Sequence, residues 1–88
     1  MAWTVEFTET ARRALKKLDK QTAALIVDYM ATRIAMADNP RDFGKALKGP
    51  LGDFWRYRVG DYRIICALED DRLRVLVVDV GHRRRVYR

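Results

Sequence analysis

The stretch FWRYRVGDYR, residues 54–63, decides how this chain folds. It reads as two strands joined by the dipeptide Gly60-Asp61. A two-residue connection with glycine first is the signature of a type II′ hairpin, and it fixes the register. Val59 then pairs with Tyr62, Arg58 with Arg63, Tyr57 with Ile64, Arg56 with Ile65 and Trp55 with Cys66. Opposed residues share a face. One face therefore carries Trp55, Tyr57, Val59, Tyr62, Ile64 and Cys66 and reads as core, which also argues against the three aromatics being base-stacking platforms. The other gathers Arg56, Arg58 and Arg63. Like charges placed opposite one another destabilise a sheet, so a protein that keeps such a cluster is expected to hold an anion with it.

The rest of the composition bounds what this hairpin belongs to. Eighty-eight residues make a single domain, 1–88, with one small core. No apolar run approaches the ~20 residues that span a bilayer, and the start MAWTVEF has neither the charged head nor the apolar stretch of a signal peptide. The expected location is the cytoplasm, with no membrane partner. Cys66 stands alone, so no internal disulfide forms. One cysteine and one histidine exclude a Cys/His zinc site of the usual kind, and no metal or other cofactor is expected. The net charge of +6 favours an anionic partner. All five lysines lie at or before Lys48; beyond it every basic residue is arginine. Arginine's planar fork grips phosphate in a bidentate way that lysine cannot match.

Working outward, Ala2 to Phe7 alternates as a short strand. Thr8 caps a helix from about Glu9 to Leu18 that buries Ala11, Ala14, Leu15 and Leu18. Asp19 caps a second, about Lys20 to Ala37, that buries Ala23, Ile26, Val27, Met30 and Ile34 and stops at Asp38-Asn39-Pro40. Arg41 to Asp53 reads as a loop. After the hairpin, Asp70-Asp71 reads as another two-residue turn. It would set Ala67 opposite Arg74, Ile65 opposite Leu76 and Arg63 opposite Val78, and would place Arg74 with the other arginines around a floor of Ile65, Leu76 and Val78. The strand ends at Gly81, and His82 to Arg88 closes the chain beside the cluster. The expected fold is α+β, in the order β-α-α-β-β-β. Two antiparallel helices cover one face of a mainly antiparallel sheet, the first strand joins an edge, and the other face stays open and basic.

Three segments carry a family resemblance: the helix ALKKLDK, the stretch LKGPLGDFWRYRVGDYRIICAL and the ending VDVGHRRRVYR. Together they resemble the RelE family within the RelE/ParE superfamily of type II toxins, over nearly the whole chain. The resemblance implies a microbial-ribonuclease-like fold and a ribosome-dependent endonuclease that cuts mRNA in the A site. In that reaction the ribose 2′-OH attacks the adjacent phosphate, with no metal. It implies a cognate antitoxin, RelB-like and acidic in its binding segment, and a toxin–antitoxin hetero-oligomer that binds operator DNA through the antitoxin. The alternative within the superfamily is a ParE-like toxin that inhibits DNA gyrase without cutting RNA. A weaker third reading is a non-catalytic RNA-binding domain.

By the same resemblance Arg56, Arg58 and Arg63 bind and stabilise the scissile phosphate. Arg83 holds the phosphate or assists the leaving group. Tyr87 stacks on a base, assists proton transfer, or packs on the sheet edge. Some relatives carry lysine where Arg56 and Arg58 stand; arginine is a poor proton shuttle, so Arg58 suits charge stabilisation. His82 is the candidate acid/base, histidine being the side chain that titrates near neutrality, or else a surface residue. Arg74, Arg84, Arg85, Arg88, Lys16 and Lys17 are the candidate RNA- and ribosome-binding residues, against the plainer reading of a solvated basic surface.

Overall fold

The chain runs β1 (Thr4–Phe7), α1 (Glu9–Lys16), α2 (Lys20–Tyr29), β2 (Lys45–Ala46), β3 (Trp55–Val59), β4 (Tyr62–Glu69) and β5 (Arg74–His82). These elements come from a computed structural model, which describes residues 2–48 and 52–84. They form a five-stranded sheet in the order β1-β5-β4-β3-β2. The central hairpin has the register its turn requires: Arg58 faces Arg63, Arg56 faces Ile65 and Trp55 faces Cys66. Gly60 has a φ of +58° and Asp61 a negative one, as a turn with glycine first demands.

The second turn differs from the sequence reading. Asp70–Arg72 forms a 3₁₀ turn, Leu73 takes the left-handed conformation (φ 50°, ψ 46°), and the first closing pair is Glu69 with Arg74. Aspartates fill the positive-φ positions of a two-residue hairpin poorly, so a longer loop with one left-handed residue serves instead. Ala67 consequently faces Leu76, not Arg74. This slip of two residues keeps Val75 and Val77 on the core face. A second irregularity does change faces. Cys66 pairs with Val77 but Ile65 pairs with Asp79, so Val78 is an extra residue in β5. Beyond this bulge every side chain of β5 is re-aimed. Val80 turns inward and is 5% exposed, and Arg63 faces Gly81 instead of Val78.

β1 joins the edge as expected and runs parallel to β5, with Val5 opposite Val75. β5, the last strand in sequence, is thus interior to the sheet. β2 lies within the segment read as loop; its two residues pair antiparallel with β3. Gly44 makes this approach possible. Its φ is +72°, and a Cβ there would collide with the Arg56 carbonyl oxygen.

The helices begin where their caps predict. Thr8 Oγ1 accepts from the Ala11 N–H at 3.1 Å, and Asp19 accepts from the Thr22 N–H at 3.1 Å. α1 ends at Lys16, short of Leu18, and α2 gives way at Met30 to a π-helical turn, Met30–Ile34, rather than running to Ala37. The Ala35 N–H reaches back to the Met30 carbonyl at 2.9 Å, which closes that wider turn. Ile26, Met30 and Ile34 are fully buried at spacings of four. Val27 falls off this stripe and is 42% exposed, contrary to the sequence reading. Ile26, Met30 and Ile34 pack with Trp3, Ala11, Tyr57, Ile64, Cys66, Val75, Val77 and Val80 as one core. Trp55 and Tyr62 are partly buried against it. The Tyr57 hydroxyl donates to the Pro40 carbonyl at 2.8 Å, and burial pushes both the Tyr57 phenol and the Cys66 thiol up.

Candidate functional site: a basic face on the uncovered side of the sheet

The hairpin register brings Arg56, Arg58 and Arg63 to the face opposite the core. Arg58 and Arg63 are directly opposed, which places their Cβ atoms about 5 Å apart. On the far side of Arg63 stands Gly81, so the β5 position directly opposite Arg63 carries no side chain, while Asp79 shares the face two residues away. Ile65 sits between Arg56 and Asp79 on the neighbouring strands and is 5% exposed although it lies outside the core cluster. Of the floor expected from Ile65, Leu76 and Val78, only Ile65 lies between the arginine positions: Leu76 faces Ala67, Val78 is the bulge residue, and Asp79 stands opposite Ile65. Arg56 Nε is buried without a hydrogen-bond partner among the described residues, and neither Arg56 nor Arg58 forms an ion pair with a described carboxylate. Positive charge held in a partly desolvated setting, with no described carboxylate paired to Arg56 or Arg58, is suited to an incoming anion.

β2 adds a cation that the sequence reading missed. Lys45 is paired with Arg56 and therefore shares its face. A two-residue strand has too few positions to show alternation, so nothing in the sequence marked it.

Arg74 does not join the cluster. It starts β5 at the opposite end from Gly81, about 20 Å along the strand. Its fork is engaged: Nε and Nη2 lie 2.9 and 3.0 Å from the two Glu69 oxygens, and Nη1 lies 3.0 Å from Glu6 Oε1. The Arg74 hydrogen bonds lower the Glu69 pKa, and Glu69 in turn raises that of Arg74. Arg74 clamps β1, β4 and β5 together where the sequence reading had it around the shared floor.

His82 is also displaced from its expected place. The bulge pairs it with Tyr62, whose own partner Val59 belongs to the core side. The two rings meet edge to face, 5.7 Å apart at 79°, and His82 Nδ1 accepts from the Arg84 N–H at 3.4 Å. The candidate acid/base thus stands across the sheet from Arg58 and Arg63. Without the extra residue Val78 it would have shared their face.

A groove of about 820 Å³ opens on this helix side, lined by Arg13, Ala14, Lys17 and Leu18 of the α1 region and by Tyr62, Val80, His82 and Arg84. None of Arg56, Arg58 and Arg63 borders it. Lys17 and Arg84 are brought together there, while Lys16 is exposed on α1. Arg83 is exposed just past β5, and its N–H donates to the Asp61 carbonyl at 2.9 Å. That bond ties the strand's end to the hairpin turn, the same end of the sheet as Arg58 and Arg63. Tyr87, Arg85 and Arg88 lie outside the described residues. Among the described residues no helix is long and apolar enough to cross a membrane.

Residues 5–87 match the family model described as ParE toxin of type II toxin–antitoxin system, parDE. The chain belongs to the RelE/ParE superfamily of type II toxins. Toxin RelG of Mycobacterium tuberculosis (strain ATCC 25618 / H37Rv) is 34% identical over 88 residues, covering 100% of this toxin and 99% of the relative. A chain of the crystal structure of the toxin–antitoxin complex RelBE2 from Mycobacterium tuberculosis superposes with a TM-score of 0.86 at 32% identity, over 93% of this toxin and 92% of that chain. The isolated RelE toxin of E. coli superposes with a TM-score of 0.70 over 92% of this toxin and 84% of that chain; at 19% identity it shows the shared fold. Two helices on a mostly antiparallel five-stranded sheet are therefore the RelE-like architecture, and this is a RelE-family toxin.

Proposed function

We propose that this toxin is a metal-independent endoribonuclease that cleaves mRNA in the ribosomal A site and so inhibits translation. The carrying observation is the trio Arg56, Arg58 and Arg63 on the face opposite the core, with Gly81 directly across from Arg63. In the reaction the substrate's own 2′-oxygen attacks the neighbouring phosphorus. The new O2′–P bond forms as the P–O5′ bond breaks, the 2′-OH proton passes to a base, and the departing 5′-oxygen takes up a proton. The products are a 2′,3′-cyclic phosphate and a 5′-hydroxyl. Negative charge gathers on the phosphoryl oxygens in the transition state, and fixed guanidinium groups stabilise it there. The nucleophile comes from the RNA, so the protein's task is charge stabilisation, alignment and proton transfer. Arg58 and Arg63, opposed across the hairpin, are assigned to the scissile phosphate with Arg56 beside them. Arg83, held at the same end of the sheet, is assigned to the leaving-group side. Tyr87 is assigned to base stacking or proton transfer.

The basic surfaces also suit an acidic partner. We infer that a cognate RelB-like antitoxin, acidic in its binding segment, neutralises the toxin in the cytoplasm; the Mycobacterium tuberculosis relative was crystallised in a toxin–antitoxin complex. A complex that binds operator DNA would do so through the antitoxin.

The family model carries the ParE description, which favours gyrase inhibition as a second reading. Purified ribosomes programmed with a defined mRNA separate the two. Primer extension should reveal A-site cuts that vanish in Arg63→Ala. Intact mRNA together with gyrase-dependent DNA breaks would reject the nuclease in favour of the second reading.

A further inference from the structure

We propose that Lys45 is a positioning residue of this same basic face: it holds the phosphate next to the scissile one and steers the RNA strand from Arg58 and Arg63 past Arg56 to the β2 edge. The assignment rests on the nuclease reading above and names the direction in which the substrate lies.

Three observations carry it. First, the β2–β3 register sets Lys45 directly opposite Arg56, so the two cations rise from one face with Cβ atoms about 5 Å apart. This repeats, one strand outward, the like-charge opposition of Arg58 and Arg63. Second, the backbone that presents Lys45 is fixed. Trp55 Nε1 donates to the Phe43 carbonyl at 2.7 Å on one side, and the Leu47 N–H donates to the Phe54 carbonyl at 3.1 Å on the other. Gly44, at φ +72°, lets the segment press against the Arg56 backbone. Third, Lys45 is exposed and its ammonium makes no ion pair or hydrogen bond with any described residue, so no internal contact explains its charge.

The spacing also fits. Arg58 and Arg56 are two residues apart on β3, about 7 Å along the strand, and Lys45 lies one strand further. That progression has the scale of successive phosphates on an extended single strand. The chemistry of the residues divides accordingly. Rigid arginine forks stand at the reacting phosphate, and a lysine on a flexible stem meets a phosphate that needs only to be held.

The test compares wild type, Lys45→Ala and Lys45→Arg, with Lys20→Ala on α2 as the control. Cleavage of mRNA on programmed ribosomes is followed under single turnover against toxin concentration. Lys45→Ala should raise the half-saturating concentration about tenfold, the worth of one charge-assisted contact, and leave the plateau rate within about twofold. Lys45→Arg should restore it, and Lys20→Ala should match wild type. In parallel, binding of a labelled 2′-O-methyl oligoribonucleotide is measured without ribosomes over a range of salt. Losing one phosphate contact should reduce the slope of log K against log salt by about 0.7. An unchanged slope in Lys45→Ala would overturn the assignment. So would a fall in plateau rate at constant half-saturation. If wild type cuts no mRNA, the nuclease reading fails, and the oligoribonucleotide slope alone decides for or against Lys45.

Discussion

Arg63 of β4 and Gly81 of β5 are directly opposed on the face of the sheet away from the core. The β5 residue directly across from Arg63 therefore carries no side chain, and under the nuclease reading that position lies next to the scissile phosphate. Adding a side chain at Gly81 should separate chemistry from folding. Gly81→Leu is expected to reduce mRNA cleavage by roughly tenfold or more through displacement of substrate or guanidinium, while the melting temperature changes little. Undiminished cleavage by this variant would show that the phosphate lies elsewhere.

Arg58→Ala should do opposite things to activity and stability. Cleavage is expected to fall by about a hundredfold or more if the charge faces the transition state. Binding to ribosomes should fall far less, because peripheral cations supply that affinity. Removing one of two opposed like charges should leave stability unchanged or raise it by up to ~1 kcal/mol. Denaturant unfolding and a ribosome-binding assay measure both, and a clear loss of stability would contradict the repulsion argument.

Gly44→Ala should destabilise the fold. The residue holds φ at +72°, and its Cβ would meet the Arg56 carbonyl. Left-handed strain alone costs about 1–3 kcal/mol, and the collision must in addition push β2 off β3. Urea unfolding gives the loss. The matching change at Gly60, where a Cβ meets nothing within 4 Å, should cost less.

Acid should weaken the protein through its paired carboxylates. Hydrogen bonds from Arg41 hold the Asp70 carboxyl below its ordinary 3.8, and hydrogen bonds from Arg74 hold Glu69 below 4.5. A group depressed on folding contributes stability above its unfolded pKa and loses it as pH falls through the folded value. Asp70→Asn and Glu69→Gln should therefore be less stable than wild type at pH 7 and converge with it near pH 2. Melting curves across that range check the sign; a gap that widened toward acid would exclude these pairs as its source.

The parts of this structure that the sequence revealed are those set by short-range rules. The Gly60-Asp61 turn leaves one register open, and from it follow five residue pairs, both faces and the Arg56, Arg58, Arg63 cluster. The caps at Thr8 and Asp19 located both helix starts. What escaped notice depended on contacts between distant segments. Asp70-Asp71 admits more than one loop length, and the longer one is favoured when Arg74 reaches Glu69 and Glu6. The run Val75 to Gly81 gives no sign that Val78 is supernumerary, yet this one residue decides which side His82 occupies. β2 exists because Gly44 can lie against β3, a fact about two segments rather than one.

The position of β5 has a consequence for how the toxin comes into being. Its valines complete the core between β1 and β4, and it also places Gly81 across from Arg63, but it is made after both neighbours. Pairing β1 with β5 joins residues about seventy apart, the kind of closure that slows folding. A ribosome synthesising this chain accordingly carries an unfinished sheet until the final strand has emerged. A message truncated before that point yields neither a stable domain nor a poison.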